Sequence, residues 1–156
     1  MVRAYQAVGF TPDRDYQYLE VNQFLRRLHP EIVSQTERMI AEVGGTVERD
    51  PATDLLTVNR EFTVSVVLAR CQLLDNGRRR WKVRFDTSLA PDITVAVRLD
   101  ETNQSALDYY LLPRLDFGQP RIHLADHNGI EFECYRFDSL DYLYGMARRI
   151  RIRRAA

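Results

Sequence analysis

The side chains best suited to chemistry in this sequence are arginines. Arg78, Arg79 and Arg80 are consecutive, Lys82 follows them, and Arg148, Arg149, Arg151, Arg153 and Arg154 crowd the C-terminus. Lys82 is the sole lysine, so every other Lys/Arg position is arginine. A guanidinium presents a planar fork of donors that matches two phosphate oxygens at once. Arg78, Arg79, Arg80, Lys82, Arg148, Arg149, Arg151 and Arg153 are therefore the candidate nucleic-acid contacts. Codon bias in a GC-rich genome also favours arginine over lysine, and the two readings are compatible. The total charge sets a limit. With 22 basic and 22 acidic residues the formal net charge is zero. A whole-molecule basic field is excluded, and any attraction for a polyanion has to be local.

Other chemistries find less support. The seven glycines form neither a G-x-G-x-x-G nor a G-x-x-x-x-G-K-[ST] loop, which argues against phosphate cradling by backbone amides. His29, His123 and His127 do not sit beside a serine or cysteine they could activate, and no G-x-S-x-G elbow is present. His123 and His127 would share one face of a helix. A zinc site needs a third ligand, and Asp126 lies off that face, so a polar surface loop is expected. Asp86 and Asp92 flank a loop, either as paired ligands for a divalent cation or, as expected, as turn caps. Cys71 and Cys134 lack metal-ligand spacing. They are expected to be reduced, buried thiols of a cytoplasmic protein. No apolar run approaches the roughly 18 residues a membrane span needs. The stretch from Met1 to Gln6 has no apolar signal core, so no membrane partner is expected. No cofactor is expected either.

The elements that must position these residues follow from periodicity. Residues 1–18 read as an extended N-terminal arm with a turn at Thr11-Pro12-Asp13. Val21, Phe24, Leu25 and Leu28 follow the spacing of an amphipathic helix. That helix is expected to stop at His29-Pro30, because a residue before proline avoids the α region. A second helix carries Ile32, Val33, Thr36, Ile40 and Val43 and ends at Gly44-Gly45. The period then changes to 2. Thr46–Arg49 and Leu55–Val58 are short strands, with Asn59-Arg60 a tight reversal. Phe62, Val64, Val66 and Leu68 begin a strand apolar on most of both faces, hence central. Asp75-Asn76-Gly77 is a hairpin signal. Trp81, Val83 and Phe85 alternate with Arg80, Lys82 and Arg84, which predicts a strand with one wet face. Ile93–Leu99 and Asp108–Leu112 are further strands. Leu124–Asn128 reads as one helical turn, Glu131–Arg136 as an edge strand. A last helix, capped by Asp138 or Ser139, carries Leu140, Leu143, Tyr144, Ala147 and Ile150. Val64, Val66, Leu68, Val83, Phe85, Val95 and Val97 are the expected sheet core.

Two resemblances attach to these residues. Helix, hairpin, third strand, further strands and a late helix resemble the order of a restriction-endonuclease-like core. Thr53-Asp54-Leu55-Leu56 looks like the acid that opens its PD-(D/E)XK motif, with Glu37 or Glu42 as an auxiliary carboxylate. That resemblance covers about residues 31–113 and implies Mg²⁺-assisted phosphodiester cleavage. The acid-x-lysine triplet, however, would fall near Ser65 and Val67, and without paired carboxylates there is little to hold Mg²⁺. The second resemblance rests on the stretches 61–71, 91–98 and 107–113: Glu61-Phe62-Thr63-Val64, Pro91-Asp92-Ile93-Thr94 and Leu107-Asp108-Tyr109-Tyr110-Leu111-Leu112-Pro113 with their neighbours. These look like a segment outside the catalytic domain of recombinases of high-GC bacteria. It implies an accessory module on recombining or mobile-element DNA, with a recombinase as possible partner.

The sequence thus predicts an α+β fold with an antiparallel-rich central sheet, flanked by N-terminal helices and a C-terminal helix. One domain spans 19–150, between the arm and a basic tail at 151–156. The leading functional expectation is a non-catalytic DNA-associated module. Two alternatives stay open. One is a nuclease with a rearranged site, using Asp54 and Glu61 or Asp86 and Asp92. The other is a self-association or protein-interaction module using Tyr109, Tyr135, Tyr142 and Tyr144.

Overall fold

The computed structural model describes residues 12–149, with side chains from residue 23 onward. A single helix, α1 (Pro12–Glu42), runs for 31 residues with Pro30 inside it. It replaces the two helices expected around His29-Pro30, and it absorbs residues 12–18 of the expected arm. The expected tail at 151–156 lies outside the described residues. Proline interrupts a helix by removing one N–H and crowding the preceding turn. Here Arg26 and Pro30 are both exposed, so the freed carbonyl faces solvent. Leu25, Ile32, Val33 and Ile40 pin the turns on either side into the core. Gly44, in the left-handed region at φ 87°, ends the helix, and the Gly45 N–H donates back to the Ile40 carbonyl at 3.0 Å. A side chain at Gly44 would also strike the Arg149 carbonyl.

The strands are β1 (Val47–Arg49), β2 (Leu56–Val58), β3 (Phe62–Ala69), β4 (Cys71–Leu73), β5 (Arg79–Arg84), β6 (Ile93–Leu99), β7 (Ala106–Pro113), β8 (Arg121–Ala125) and β9 (Arg136–Phe137), with α2 (Ile130–Glu133) and α3 (Asp141–Ala147) late in the chain. They form a six-stranded sheet in the order β1-β2-β3-β6-β7-β9 and a three-stranded sheet in the order β4-β5-β8. Asn59 and Arg60 both take positive φ, the primed turn whose twist suits a two-residue hairpin. The expected α+β class and antiparallel-rich sheet are present, but the meander is not continuous. β3 and β6 pair in parallel, with Val64 opposite Ile93 and Val66 opposite Val95. Parallel neighbours need a crossover. The β4–β5 hairpin supplies part of it, leaving the large sheet to build the small one.

Three layers result. α1 and α3 cover one face of the large sheet around Val33, Ile40, Val64, Val66, Val95 and Val97. The small sheet covers the other face through Trp81, Val83, Ile122 and Leu124, packed on Ala96, Tyr110 and Leu112. The expected core residues therefore divide between two cores, with Leu68 in partial contact with the first and Phe85 with the second. Two late elements differ from expectation. Residues 121–125 are a strand rather than leading into a helical turn. Asn128 closes the bend after it by accepting from the Ala125 N–H at 2.7 Å and donating to the Ala125 carbonyl at 2.9 Å. Residues 130–133 are helical rather than a strand, because Phe132 and Glu133 both donate to the Gly129 carbonyl. The N-cap of the last helix is Leu140 rather than Asp138 or Ser139, although the Ser139 hydroxyl accepts from the Asp141 N–H at 3.2 Å. Both cysteines are free, but Cys134 is exposed rather than buried, while Cys71 is half-buried and burial pushes its thiol up.

Candidate nucleic-acid interface

β5 is the middle strand of the small sheet, and the alternation of its side chains divides it sharply. Trp81 and Val83 are buried, while Arg80, Lys82 and Arg84 point the other way. β8 repeats the pattern, with Ile122 and Leu124 buried and Arg121, His123 and Ala125 exposed. The antiparallel register sets Lys82 opposite His123, Arg84 opposite Arg121 and Arg80 opposite Ala125. On the other flank β4 sets Gln72 opposite Arg80, and the Arg80 Nη2 donates to the Gln72 Oε1 at 3.1 Å. One sheet face thus gathers Arg80, Lys82, Arg84 and Arg121 around a histidine.

No carboxylate among the described residues balances it. Among the described residues Lys82, Arg84 and Arg121 enter no ion pair, and the buried Arg80 Nε has no hydrogen-bond partner. The like charges register on their neighbours. Arg84 first, then partial desolvation, Arg121 and Arg80, hold the Lys82 ammonium below the ordinary lysine range. His123 is also pushed down, first by desolvation and then by Arg80, Lys82 and Arg121.

The sequence-predicted contacts do not all meet there. Arg78 is exposed at the hairpin. Arg79 belongs to the opposite face: its guanidinium lies 5.2 Å from the centre of the Trp81 ring, and it pairs with Asp126 and with Glu101. Strand alternation therefore divides Arg78, Arg79 and Arg80, which the sequence groups as candidate contacts. Arg148 and Arg149 follow α3, in the helical layer across the large sheet from the small one, and Arg149 pairs with Glu61. Arg151 and Arg153 lie outside the described residues. Arg121 and the placement of His123 escaped the sequence reading. The signal was the period-2 alternation of Arg121-Ile122-His123-Leu124-Ala125, masked by the helix-like spacing of His123 and His127.

The acids expected of a nuclease lie elsewhere. Asp54, at φ 60°, borders an open cleft of about 510 Å³ with His29, Arg26 and Arg70. Its Oδ1 accepts from Arg49, at 2.9 Å from Nε and 2.8 Å from Nη2. Glu37 takes the same guanidinium at 3.3 Å. His29 is held by a 2.8 Å contact between Nε2 and the Val66 carbonyl, which makes Nε2 the protonated nitrogen. Its Nδ1 stands 4.0 Å from the Asp54 Oδ2. Glu61 follows the Asn59-Arg60 turn, so it and Asp54 flank opposite ends of β2 and do not converge. At the positions of the missing triplet β3 carries Ser65 and Val67, not carboxylates. Among the described residues no three His, Cys, Asp or Glu side chains gather as metal ligands. The Mg²⁺ implied by the endonuclease resemblance therefore does not fit these residues: a cation of the protein's own, Arg49, already occupies the two carboxylates.

Asp86 and Asp92 are likewise committed. Asp86 accepts from the Ser88 hydroxyl at 2.6 Å and from the Ser88 and Leu89 N–H groups, and these bonds, the hydroxyl first, hold its carboxyl below the usual range. Asp92 accepts from the Thr63 N–H at 2.9 Å, tying the start of β3 to that of β6. The tyrosine surface is not assembled either. Tyr109 and Tyr144 pack on the helical side and Tyr135 on the small-sheet side. Tyr142, 59% exposed, stacks on Phe137.

No family model matches the chain, and no curated protein matches it. Among solved structures, a bacterial homing endonuclease, I-Ssp6803I, is similar with a TM-score of 0.44 and 18% sequence identity, covering 78% of this chain and 92% of that one. Among the described residues no helix is long and apolar enough to cross a membrane.

Proposed function

We propose that this chain is a non-catalytic, DNA-associated module that holds a nucleic-acid backbone on the outer face of its small sheet. One observation carries the proposal: the acid-free cluster of Arg80, Lys82, Arg84 and Arg121 on adjacent strands. Like charges opposite each other across a sheet repel and cost stability. A chain of zero net charge has carboxylates enough to neutralise them. It does so at Arg49, Arg79, Arg98, Arg114 and Arg136, each beside an Asp or Glu. A polyanionic partner accounts for a face left unbalanced among the described residues. Phosphate contacts orient a nucleic acid without reading its bases, and each neutralised phosphate releases condensed counterions. The recombinase resemblance suggests the setting, recombining or mobile-element DNA.

Salt titration of duplex binding tests this. The log–log slope should approach about −0.9 per phosphate contacted. Changing Arg80, Lys82, Arg84 and Arg121 together to Ala should remove most of it, whereas Arg79→Ala should leave it in place. Absence of binding by wild type at low salt, or an unchanged slope in the quadruple variant, would remove the basis of the reading. Plasmid DNA incubated with Mg²⁺ or Mn²⁺ should stay intact. Specific nicking that vanishes in Asp54→Ala would overturn the non-catalytic assignment.

A further inference from the structure

Beside the basic face lies an open cleft of about 610 Å³, within the size range of small-molecule sites, roughly 300–1,000 Å³. Leu74, Leu124 and Ala125 contribute apolar walls, and Arg78 and His127 stand among its lining residues. Arg80 and His123 belong to both the cleft and the cationic face. A strand whose phosphates follow Arg84, Lys82 and Arg80 along β5 is thereby led to the cleft.

We propose that this cleft receives an unpaired nucleobase of the bound strand, so that the module prefers single-stranded or frayed DNA to closed duplex. The proposal rests on the nucleic-acid reading and specifies its substrate. A base inside a duplex is stacked and paired, and reaches a pocket only when extruded or already single-stranded. Imidazole and guanidinium planes are platforms for such bases, and His123, His127, Arg78 and Arg80 supply both. The hydrogen-bonding groups of the cleft are largely committed within the protein. Asp126 pairs with Arg79, and Asn128 bonds both polar groups of the Ala125 backbone and the Tyr110 hydroxyl. The Asn76 Oδ1 accepts from the Arg78 N–H at 3.0 Å. Few groups remain to read a base edge. Recognition then runs through stacking and apolar contact, which every base satisfies, so binding is sequence-tolerant.

Fluorescence anisotropy at one fixed salt concentration, with the full chain, tests this on three probes of equal length: an oligothymidine strand, a strand of the same backbone with abasic sugars, and a blunt duplex. The oligothymidine strand should bind about 10-fold tighter than the abasic strand, in line with the worth of one stacked base. Ala125→Ile, which narrows the cleft from an exposed strand position, and His127→Ala, which removes a platform, should each shrink that ratio severalfold. Neither should change the salt slope on the abasic strand, because the phosphate contacts are untouched. Equal affinity for all three probes, or a ratio unmoved by both variants, overturns the cleft assignment while leaving the backbone-binding face standing. Failure of wild type to bind any probe at low salt removes the proposed function itself, and the cleft assignment with it.

Discussion

Arg98 and the cations of the outer face sit on either side of the same β5 strand, and they live in opposite electrostatic worlds. Arg98, on β6, is 3% exposed. It gives two hydrogen bonds to the Asp108 carboxylate, at 2.8 and 2.6 Å, and a third to the Ala125 carbonyl at 2.6 Å. Its guanidinium lies 4.3 Å from the centre of the Trp81 ring. The neighbours of Trp81 along the chain, Arg80 and Lys82, face outward, and among the described residues neither enters an ion pair. The buried cation is fully satisfied because burying an unpaired charge is prohibitive. The surface cations can remain unpaired because water screens them at moderate cost. An arginine count therefore says little about function. Pairing separates arginines that bind the two sheets together from those free to meet a phosphate.

Breaking the inner half of this comparison should have the largest effect on the fold. Asp108→Ala strands Arg98 in the core and should cost about 3–5 kcal/mol in urea unfolding. Arg98→Met combined with Asp108→Leu removes both charges and should recover most of that loss. A double variant no more stable than Asp108→Ala would show that the Ala125 and Trp81 contacts, rather than the pair, carry the stability.

On the outer face the order reverses, with function lost and the fold spared. The quadruple alanine variant of Arg80, Lys82, Arg84 and Arg121 should lose on the order of 10²-fold in duplex affinity at low salt, with an unchanged or higher urea midpoint. A lower midpoint would mean that these side chains serve the small sheet as packing rather than as free charge.

A single Lys82→Glu change sharpens the contrast further. It places a carboxylate among Arg84, Arg121 and Arg80, the cations that act on Lys82. The urea midpoint should rise slightly, since opposite charges across strands attract, while DNA affinity falls by more than in Lys82→Ala.

The smallest effect belongs to His123. Its folded pKa is depressed below the usual value of 6.5, so the unfolded chain binds the proton more readily. Stability is then fully present above about pH 6.5 and declines as pH falls through that value toward the depressed one. Phosphates laid on the face reverse the sign by favouring the charged imidazole. DNA affinity should rise modestly between pH 8 and pH 6, and His123→Ala should flatten both profiles.

Much of the local structure was legible in advance. The period-2 runs located β3, β5, β6 and β7, and the Asn59-Arg60 and Asp75-Asn76-Gly77 signals marked the β2–β3 and β4–β5 hairpins. Strand alternation also put Arg80, Lys82 and Arg84 on one wet face. The misses have particular causes. Pro30 reads as a helix stop, but the packing of Leu25, Ile32 and Val33 overrides a local breaker whose defect faces water. Cys134 reads as a strand thiol, yet the Asn128 bend and the Gly129 carbonyl turn that stretch into a short helix. Asp54 does precede β2, but nothing local indicates that Arg49 occupies its carboxylate.

Sequence by itself determined the side-chain alternation, the turns and the supply of arginine, because those depend on residues a few positions apart. Tertiary structure alone decided which cations are neutralised. Arg98 meets Asp108 only through the β6–β7 register, and Arg79 meets Asp126 only through the β5–β8 register. Arg121 joins Arg84 by that same pairing, across a wide gap in sequence. Charge acts through space over a few ångströms, whereas periodicity acts along the chain, so the elements could be read from the sequence and the cationic face could not until the strands were paired.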